Sequence, residues 1–396
     1  MSWIVPFTHL TDIQRRAVQL SPERHRIFSG PPGSGKSIVL LHRAAYLRNQ
    51  YQIPEERLRV FVYTNALKRY LCKEAHLVGL SPSVITTFDS WCLQMARKYL
   101  GRLDPSVDFP EVRSKLAAAL ERQADRRFLF DAVFVDEGQD LDEAAYRILV
   151  RVSAHITVCT DPNQQIYKNG SSDADIARWL GISPSRVAFL DAFRCSPLIS
   201  QLASLYLAPG FSRDVFLRQV RQQQGEREMP VLFVAVSHEQ ERERLVRIGK
   251  TRLAKGEKVG VLVPSKSLIA PIREEANRHG VGTCSQDEEG DGTNLSILTY
   301  HSAKGLVFDS VLLPHVWEGA FRHGDDSAWE RLLFVGITRA RKWVYISTVS
   351  SPDSSLFAPL ARLLTEPVVE VQWGAELASA QPRDKVSVGG SLRDLV

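Results

Sequence analysis

Uninterrupted apolar stretches and cysteine are both scarce in this 396-residue sequence. No apolar run approaches the roughly 20 residues that a membrane-spanning helix needs, so no membrane partner is expected. The five cysteines, Cys72, Cys92, Cys159, Cys195 and Cys284, are odd in number and scattered, with no CxxC pair. That argues against bridges, zinc or an iron–sulfur cluster and fits free thiols in a reducing, cytoplasmic setting. The opening Met1-Ser2-Trp3-Ile4-Val5-Pro6 has no basic segment followed by an apolar core, so no secretory signal is expected. No internal repeat occurs at solenoid periods. Nor is charge of one sign in large excess: 50 Lys+Arg against 45 Asp+Glu leave +5. That permits a polyanionic partner without indicating one. What remains is an average globular composition, 44% hydrophobic and 24% charged. The length suits two or three domains of about 100–200 residues.

Short apolar runs alternate with helical patterns. Arg59–Tyr63, Ala132–Val135 and Ile156–Cys159 read as buried strands in the first half. Val231–Val236, Val259–Val263, Ser296–Thr299, Val311–Leu313 and Trp343–Ile346 read likewise in the second. Helical spacing covers Ile38–Leu47, Glu239–Ala254 and Leu268–His279. Strands without polar alternation, separated by helices, predict parallel sheets covered on both faces. Two α/β domains joined near Pro184–Ala188 are expected: 1–186, with a short insertion near 93–130, and 187–365. The acidic stretch Asp287–Gly292 is expected to be a solvated loop, and 366–396 a loosely held tail.

The strongest local pattern is Gly30-Pro31-Pro32-Gly33-Ser34-Gly35-Lys36-Ser37, a full GxxxxGK[ST] match between a strand and a helix. Glycines there let backbone N–H groups converge on phosphate oxygens at a helix N-terminus. Lys36 is placed to reach the β- and γ-phosphates of ATP, and Ser37 to ligate Mg²⁺. A second apolar strand, Val133-Phe134-Val135, delivers Asp136 and Glu137 at its end. Asp136 is the expected metal ligand and Glu137 the base that deprotonates an attacking water.

Together with these, the ordered motifs make the chain resemble superfamily 1 helicases of the UvrD/Rep/PcrA type, from Leu10 to about Thr348. Leu10–Val18 is similar to the family's adenine-reading motif, which makes Gln14 the adenine contact. Val62-Tyr63-Thr64-Asn65 and Thr87-Phe88-Asp89-Ser90 match segments that touch single-stranded DNA. Val135–Asp140 is the extended acidic motif. Thr160–Tyr167 corresponds to the segment coupling the γ-phosphate to DNA, with Gln164 as phosphate sensor and Tyr167 as a base-stacking group. Leu190–Ser196 resembles the motif whose aromatic, here Phe193, stacks on adenine and whose arginine, here Arg194, reaches the γ-phosphate. Thr299–Leu306 matches the motif linking nucleotide and DNA, which brings in His301 and Gly305. Glu330–Arg341 matches the final motif and makes Arg339 the arginine finger.

The resemblance implies two RecA-like parallel-sheet domains with an ATP cleft between them. It also implies Mg²⁺-dependent ATP hydrolysis driving 3′→5′ movement on single-stranded DNA, with RNA as a further candidate. The sequence departs from the family in instructive places. Only about forty residues separate Cys92 from Val133, and one short acidic loop precedes Leu295, so most of both accessory subdomains is missing. Asn169-Gly170 stands where a Trp-Arg pair is usual, Ile38 where an arginine is, and Val307 where a glutamate is. The ATP set is complete while the DNA-gripping set is not. A second expectation is therefore a nucleotide- or DNA-sensing switch subunit that controls a partner such as a nuclease, in repair or antiphage defence.

Overall fold

The computed structural model describes residues 4–102, 107–123, 127–165, 170–183, 188–190, 196–207, 210–220, 228–284, 293–321, 328–349, 360, 363–364 and 367–374. The chain divides into two compact units, Met1–Ala192 and Phe193–Val396.

In chain order the first unit contains α1 (Asp12–Gln19), β1 (Arg26–Ser29), α2 (Lys36–Gln50), β2 (Leu58–Val62), α3 (Asn65–Glu74) and β3 (Ile85–Thr87). These are followed by α4 (Phe88–Leu100), α5 (Phe109–Glu121), β4 (Phe130–Val135), α6 (Glu143–Val152), β5 (Ser153–Thr160), α7 (Asp173–Trp179) and β6 (Ala188–Phe189). The six strands pair in the order β3-β2-β4-β5-β1-β6, all parallel.

Both faces of this sheet are apolar, and side-chain alternation explains why the strands read as continuous hydrophobic runs. Phe28, Val60, Val62 and Phe134 pack with α1, α2 and α3 on one face. Their neighbours Ile27, Phe61, Val133 and Val135 pack with α4, α5, α6 and α7 on the other. Threonine hydroxyls start three of the helices. Thr11 caps α1 in a reciprocal capping box with Gln14, Thr64 accepts from Leu67 N, and Thr87 accepts from Ser90 N.

The second unit holds α8 (Pro197–Ser204), α9 (Arg213–Gln219), β7 (Val231–Ala235), α10 (His238–Ala254), β8 (Val259–Val263) and α11 (Ile269–Arg278). It continues with β9 (Thr283–Cys284), β10 (Leu295–Thr299), β11 (Phe308–Leu313), α12 (Ala328–Ile337), β12 (Ala340–Val349) and β13 (Glu370–Trp373). Its seven strands run parallel in the order β13-β7-β12-β11-β8-β10-β9. Val231, Phe233, Val261, Ile297 and Tyr345 bury one face against α10 and α11, through Leu245, Val246 and Ile272.

Two expectations change. The boundary at 186/187 falls too early, because Ala188–Phe189 pairs with β1 and the units divide after Ala192. The tail from 366 is not wholly loose: Glu370–Trp373 adds an edge strand beside β7, and Gln372 accepts a hydrogen bond from Arg244. The short insertion consists of α4 and α5, whose Trp91, Cys92, Leu116 and Leu120 lie in the core. The acidic stretch Asp287–Gly292 lies outside the described residues. Cys72, Cys92, Cys159 and Cys284 are free thiols, as expected. Among the described residues no helix is long and apolar enough to cross a membrane.

Candidate functional site

Parallel strands put all their carboxyl ends on one edge of a sheet, and that edge is where open α/β sheets bind ligands. In the first unit, β1 runs into the glycine-rich loop, β4 into Asp136, β5 into Asp161, β2 into Tyr63 and β3 into Thr87. Since β5 lies between β1 and β4, it is the strand whose end can touch both the loop and the acidic motif.

The loop is built around glycines that cannot be replaced without strain. Gly33 and Gly35 are left-handed, with φ of 83° and 78°. A Cβ on Gly30 would lie 2.8 Å from Ser34 Oγ and 2.9 Å from Leu190 O, and one on Gly35 would lie 2.7 Å from Gln14 Nε2. Lys36 opens α2 and turns back under the loop. Its Nζ donates to Gly30 O at 2.7 Å and Pro31 O at 3.2 Å, and lies 3.4 Å from Asp161 Oδ2. Ser37 Oγ donates to Asp136 Oδ2 at 2.5 Å.

The acidic motif is held equally closely. Glu137 adopts a left-handed conformation, φ 54° and ψ 43°, which turns the chain sharply after β4. Burial, and then the adjacent Glu137 charge, push the Asp136 carboxyl up to about 6, against the opposing effect of the Ser37 hydrogen bond and Lys36. Gln139 Nε2 donates to Glu137 Oε2 at 2.5 Å, while Gln139 Oε1 accepts from Asp161 N at 3.0 Å. Asp161 in turn accepts from Gln164 Nε2 at 2.7 Å. A continuous polar chain thus runs from the phosphate loop through Lys36, Asp161 and Gln139 to Glu137, with Gln164 joined to it at Asp161. Gln139 and Asp161 were not singled out in the sequence. They stood inside matched motifs, but only the sheet order shows that they join them.

Gln14 sits beside the loop, but both ends of its amide are engaged. Oε1 accepts from Thr11 N at 2.9 Å and Nε2 donates to Ser34 O at 2.9 Å. Here it braces the loop, and contact with an adenine edge would require those bonds to open.

The expected strand-contacting residues divide into two groups. Tyr63, Thr64 and Asn65 lie together after β2, with Asn65 exposed and Thr64 acting as a cap. Thr87 caps α4. Phe88 is a correction: it is only 3% exposed, with its ring 5.2 Å from Phe61 in an edge contact, so the aromatic belongs to the core and not to a stacking surface. In the second unit His301 is half-buried in the turn after β10, and burial, then Lys304, lowers its pKa. Gly305 follows with φ 81°. Arg339 donates to Val335 O at 3.0 Å and Leu306 O at 3.5 Å, tying the end of α12 to the Thr299–Leu306 motif. Tyr167, Phe193 and Arg194 lie outside the described residues.

Two features fit a nucleotide and its metal. Ser34 Oγ is buried inside the loop without a hydrogen-bond partner, as expected of a group aimed at a phosphate. The paired hard oxygens of Ser37 and Asp136 are the donor type Mg²⁺ takes. Loop, lysine and paired carboxylates define a phosphate-loop nucleotide site.

Comparison with known proteins narrows this class. Residues 14–169 match the model of an AAA domain, and residues 283–351 that of the UvrD-like helicase C-terminal domain. The first match takes in the loop, the acidic motif and Gln164, and the second takes in His301 and Arg339. The chain belongs to the UvrD-like superfamily 1 helicases. A probable DNA helicase II homolog of Rickettsia conorii is 41% identical over 73 residues, 16% of this chain and 11% of that protein. The ATP-dependent DNA helicase PcrA of Bacillus subtilis is 34% identical over 91 residues, 21% and 12%. The ATP-dependent DNA helicase UvrD1 of Mycobacterium leprae is 32% identical over 122 residues, 28% and 15%. The matched segments therefore span 11% to 15% of these relatives' own length.

Proposed function

We propose that this protein is an ATP-driven translocase or helicase on single-stranded DNA. The observation that carries the reading is the continuous chain of contacts from Lys36 through Asp161 and Gln139 to Glu137. It links the group that would hold the γ-phosphate to the group that would activate water. On binding, triphosphate oxygens replace the carbonyls of Gly30 and Pro31 around Lys36 Nζ. Ser37 and Asp136 would hold Mg²⁺, which supplies neutralisation of phosphate charge. Glu137 takes a proton from the water that attacks the γ-phosphorus, and ADP leaves. Gln164 senses the γ-phosphate through Asp161, while Arg194 and Arg339 supply guanidinium charge to the transferring group. Gln14, Phe193 and Gly305 contribute to nucleotide binding. Tyr63, Thr64, Asn65, Thr87, Tyr167 and His301 form the surface for the strand, in a sequence-tolerant mode. Movement is 3′→5′, and the strand is held differently before and after γ-phosphate release.

Strand displacement tests this reading. Duplexes with a 3′ or a 5′ single-stranded overhang are mixed with protein, ATP and Mg²⁺. Displacement from the 3′-tailed duplex, lost in Lys36→Ala, is expected, and equal action on both substrates or on neither contradicts a polar motor. A second reading is favoured by α4 and α5, which fill the segment after Cys92 with core helices. In that reading the protein is a nucleotide- or DNA-sensing switch that regulates a partner such as a nuclease. Displacement that appears only with a co-purified partner would select it.

A further inference from the structure

The second unit carries a buried carboxylate that its surroundings leave incompletely satisfied. Glu241 lies on the first turn of α10, three residues after His238, so the two side chains share a helix face. Glu241 is fully buried. Its Oε1 is well served, accepting from His315 N at 2.8 Å and from Ser347 Oγ at 2.8 Å. Its Oε2 is buried and accepts no hydrogen bond. Among the described residues no lysine or arginine pairs with it. A buried carboxylate in that position is costly unless a cation meets it.

Two imidazoles converge on that same oxygen. His315 Nδ1 lies 3.1 Å from Oε2 and His238 Nδ1 3.6 Å from it. The two rings have centroids 5.3 Å apart. His315 stands just beyond β11 with φ 57°, a left-handed backbone unusual for a residue with a Cβ. That conformation lets its N–H and its ring meet the same carboxylate. One ligand atom from each of the three residues lies within 4.8 Å of the others. A tetrahedral ion with bonds of about 2.0–2.1 Å needs its ligand atoms about 3.4 Å apart. The distances of 3.1 and 3.6 Å bracket that spacing.

We infer that His238, Glu241 and His315 bind a divalent transition-metal ion of the zinc class, through the two Nδ1 atoms and Glu241 Oε2. Two imidazoles and a carboxylate are the borderline donor set that Zn²⁺ takes, with a fourth position left to water. The exposed His238, half open to solvent, provides the way in. The ion would tie the start of α10 to the end of β11 at the carboxyl edge of the second sheet. It uses no cysteine and none of the residues of the nucleotide site.

The test uses the full chain, stripped with a chelator, incubated with ZnCl₂ alone and desalted. Bound zinc is then counted by elemental analysis, and its first shell is read by X-ray absorption. The wild type is expected to hold about one ion per chain with nitrogen and oxygen neighbours and an imidazole signature. His238→Ala, at an exposed position, and the isosteric Glu241→Gln are expected to weaken zinc binding by on the order of 100-fold or more. Both are checked for folding by circular dichroism. A wild type that retains less than about 0.1 ion per chain overturns the inference. So does either folded variant binding zinc as the wild type does.

Discussion

Replacing Gln139 by leucine probes the link between the phosphate loop and the acidic motif. The side chain is fully buried and makes two bonds, to Glu137 Oε2 at 2.5 Å and from Asp161 N at 3.0 Å. Leucine fills similar space but makes neither. Each buried group deprived of its partner costs about 1–3 kcal/mol, so a loss of about 3 kcal/mol is expected after the gain from a more apolar side chain. For a unit of this size that corresponds to a fall in Tm of about 6–12 °C. The larger effect is expected on rate. Glu137 keeps its charge but loses the group that fixes its orientation, so kcat for ATP should fall by about 10- to 100-fold with little change in KM. Glu137→Gln should cost more, about 10²- to 10⁴-fold, because it removes the proposed base. If Gln139 acts through Glu137, the double variant is no slower than Glu137→Gln alone. Wild-type kcat and Tm in Gln139→Leu, or fully additive losses in the double variant, would refute the reasoning.

Two further outcomes follow from the buried cluster behind the phosphate-loop helix. Arg43 is completely buried and donates to the carbonyls of Val18 at 2.9 Å and Leu20 at 2.7 Å and to Thr157 Oγ1 at 2.9 Å. It caps the C-terminal end of α1, and Arg43→Met should lower the urea stability by about 3 kcal/mol through the acceptors it abandons. A change under about 0.5 kcal/mol would contradict that assignment. His155, beside it, has its pKa lowered to about 3 by burial first and then by Arg43. The unfolded chain binds that proton near pH 6.5 and the folded one does not. Stability is therefore full above about pH 6.5 and falls toward pH 3, with a slope approaching 1.4 kcal/mol per pH unit. His155→Asn should flatten the urea midpoint measured at pH 6.5, 5 and 4, and an unchanged slope would show that another group titrates.

The phosphate loop was legible because its chemistry is local: glycines needed at left-handed φ, a lysine and a serine all fall within eight consecutive positions. The parallel sheets were legible for a related reason, since strands buried on both faces leave unbroken runs such as Val133-Phe134-Val135. The polar chain through Gln139 and Asp161 was not, because it joins residues 22 positions apart and depends on β5 lying between β1 and β4. Phe88 was placed with the strand contacts because it stands inside a matched motif, and only the neighbouring Phe61 and Trp91 show that its ring is core. The early domain boundary and the loose tail failed on short strands. Two residues of β6 and four of β13 carry too little pattern to be seen without the strand they pair with. His315 and Glu241 are 74 positions apart, and nothing along the chain announces that they meet.

The central claim is that ATP hydrolysis at the Lys36–Glu137 site answers to single-stranded nucleic acid. Steady-state ATPase rates with Mg²⁺, titrated with single-stranded DNA, duplex DNA and RNA beside a Glu137→Gln control, test it most directly. A rate that rises severalfold or more with single-stranded DNA, less with duplex, and vanishes in Glu137→Gln is expected. The same rate with and without any nucleic acid, or no hydrolysis at all, would contradict it.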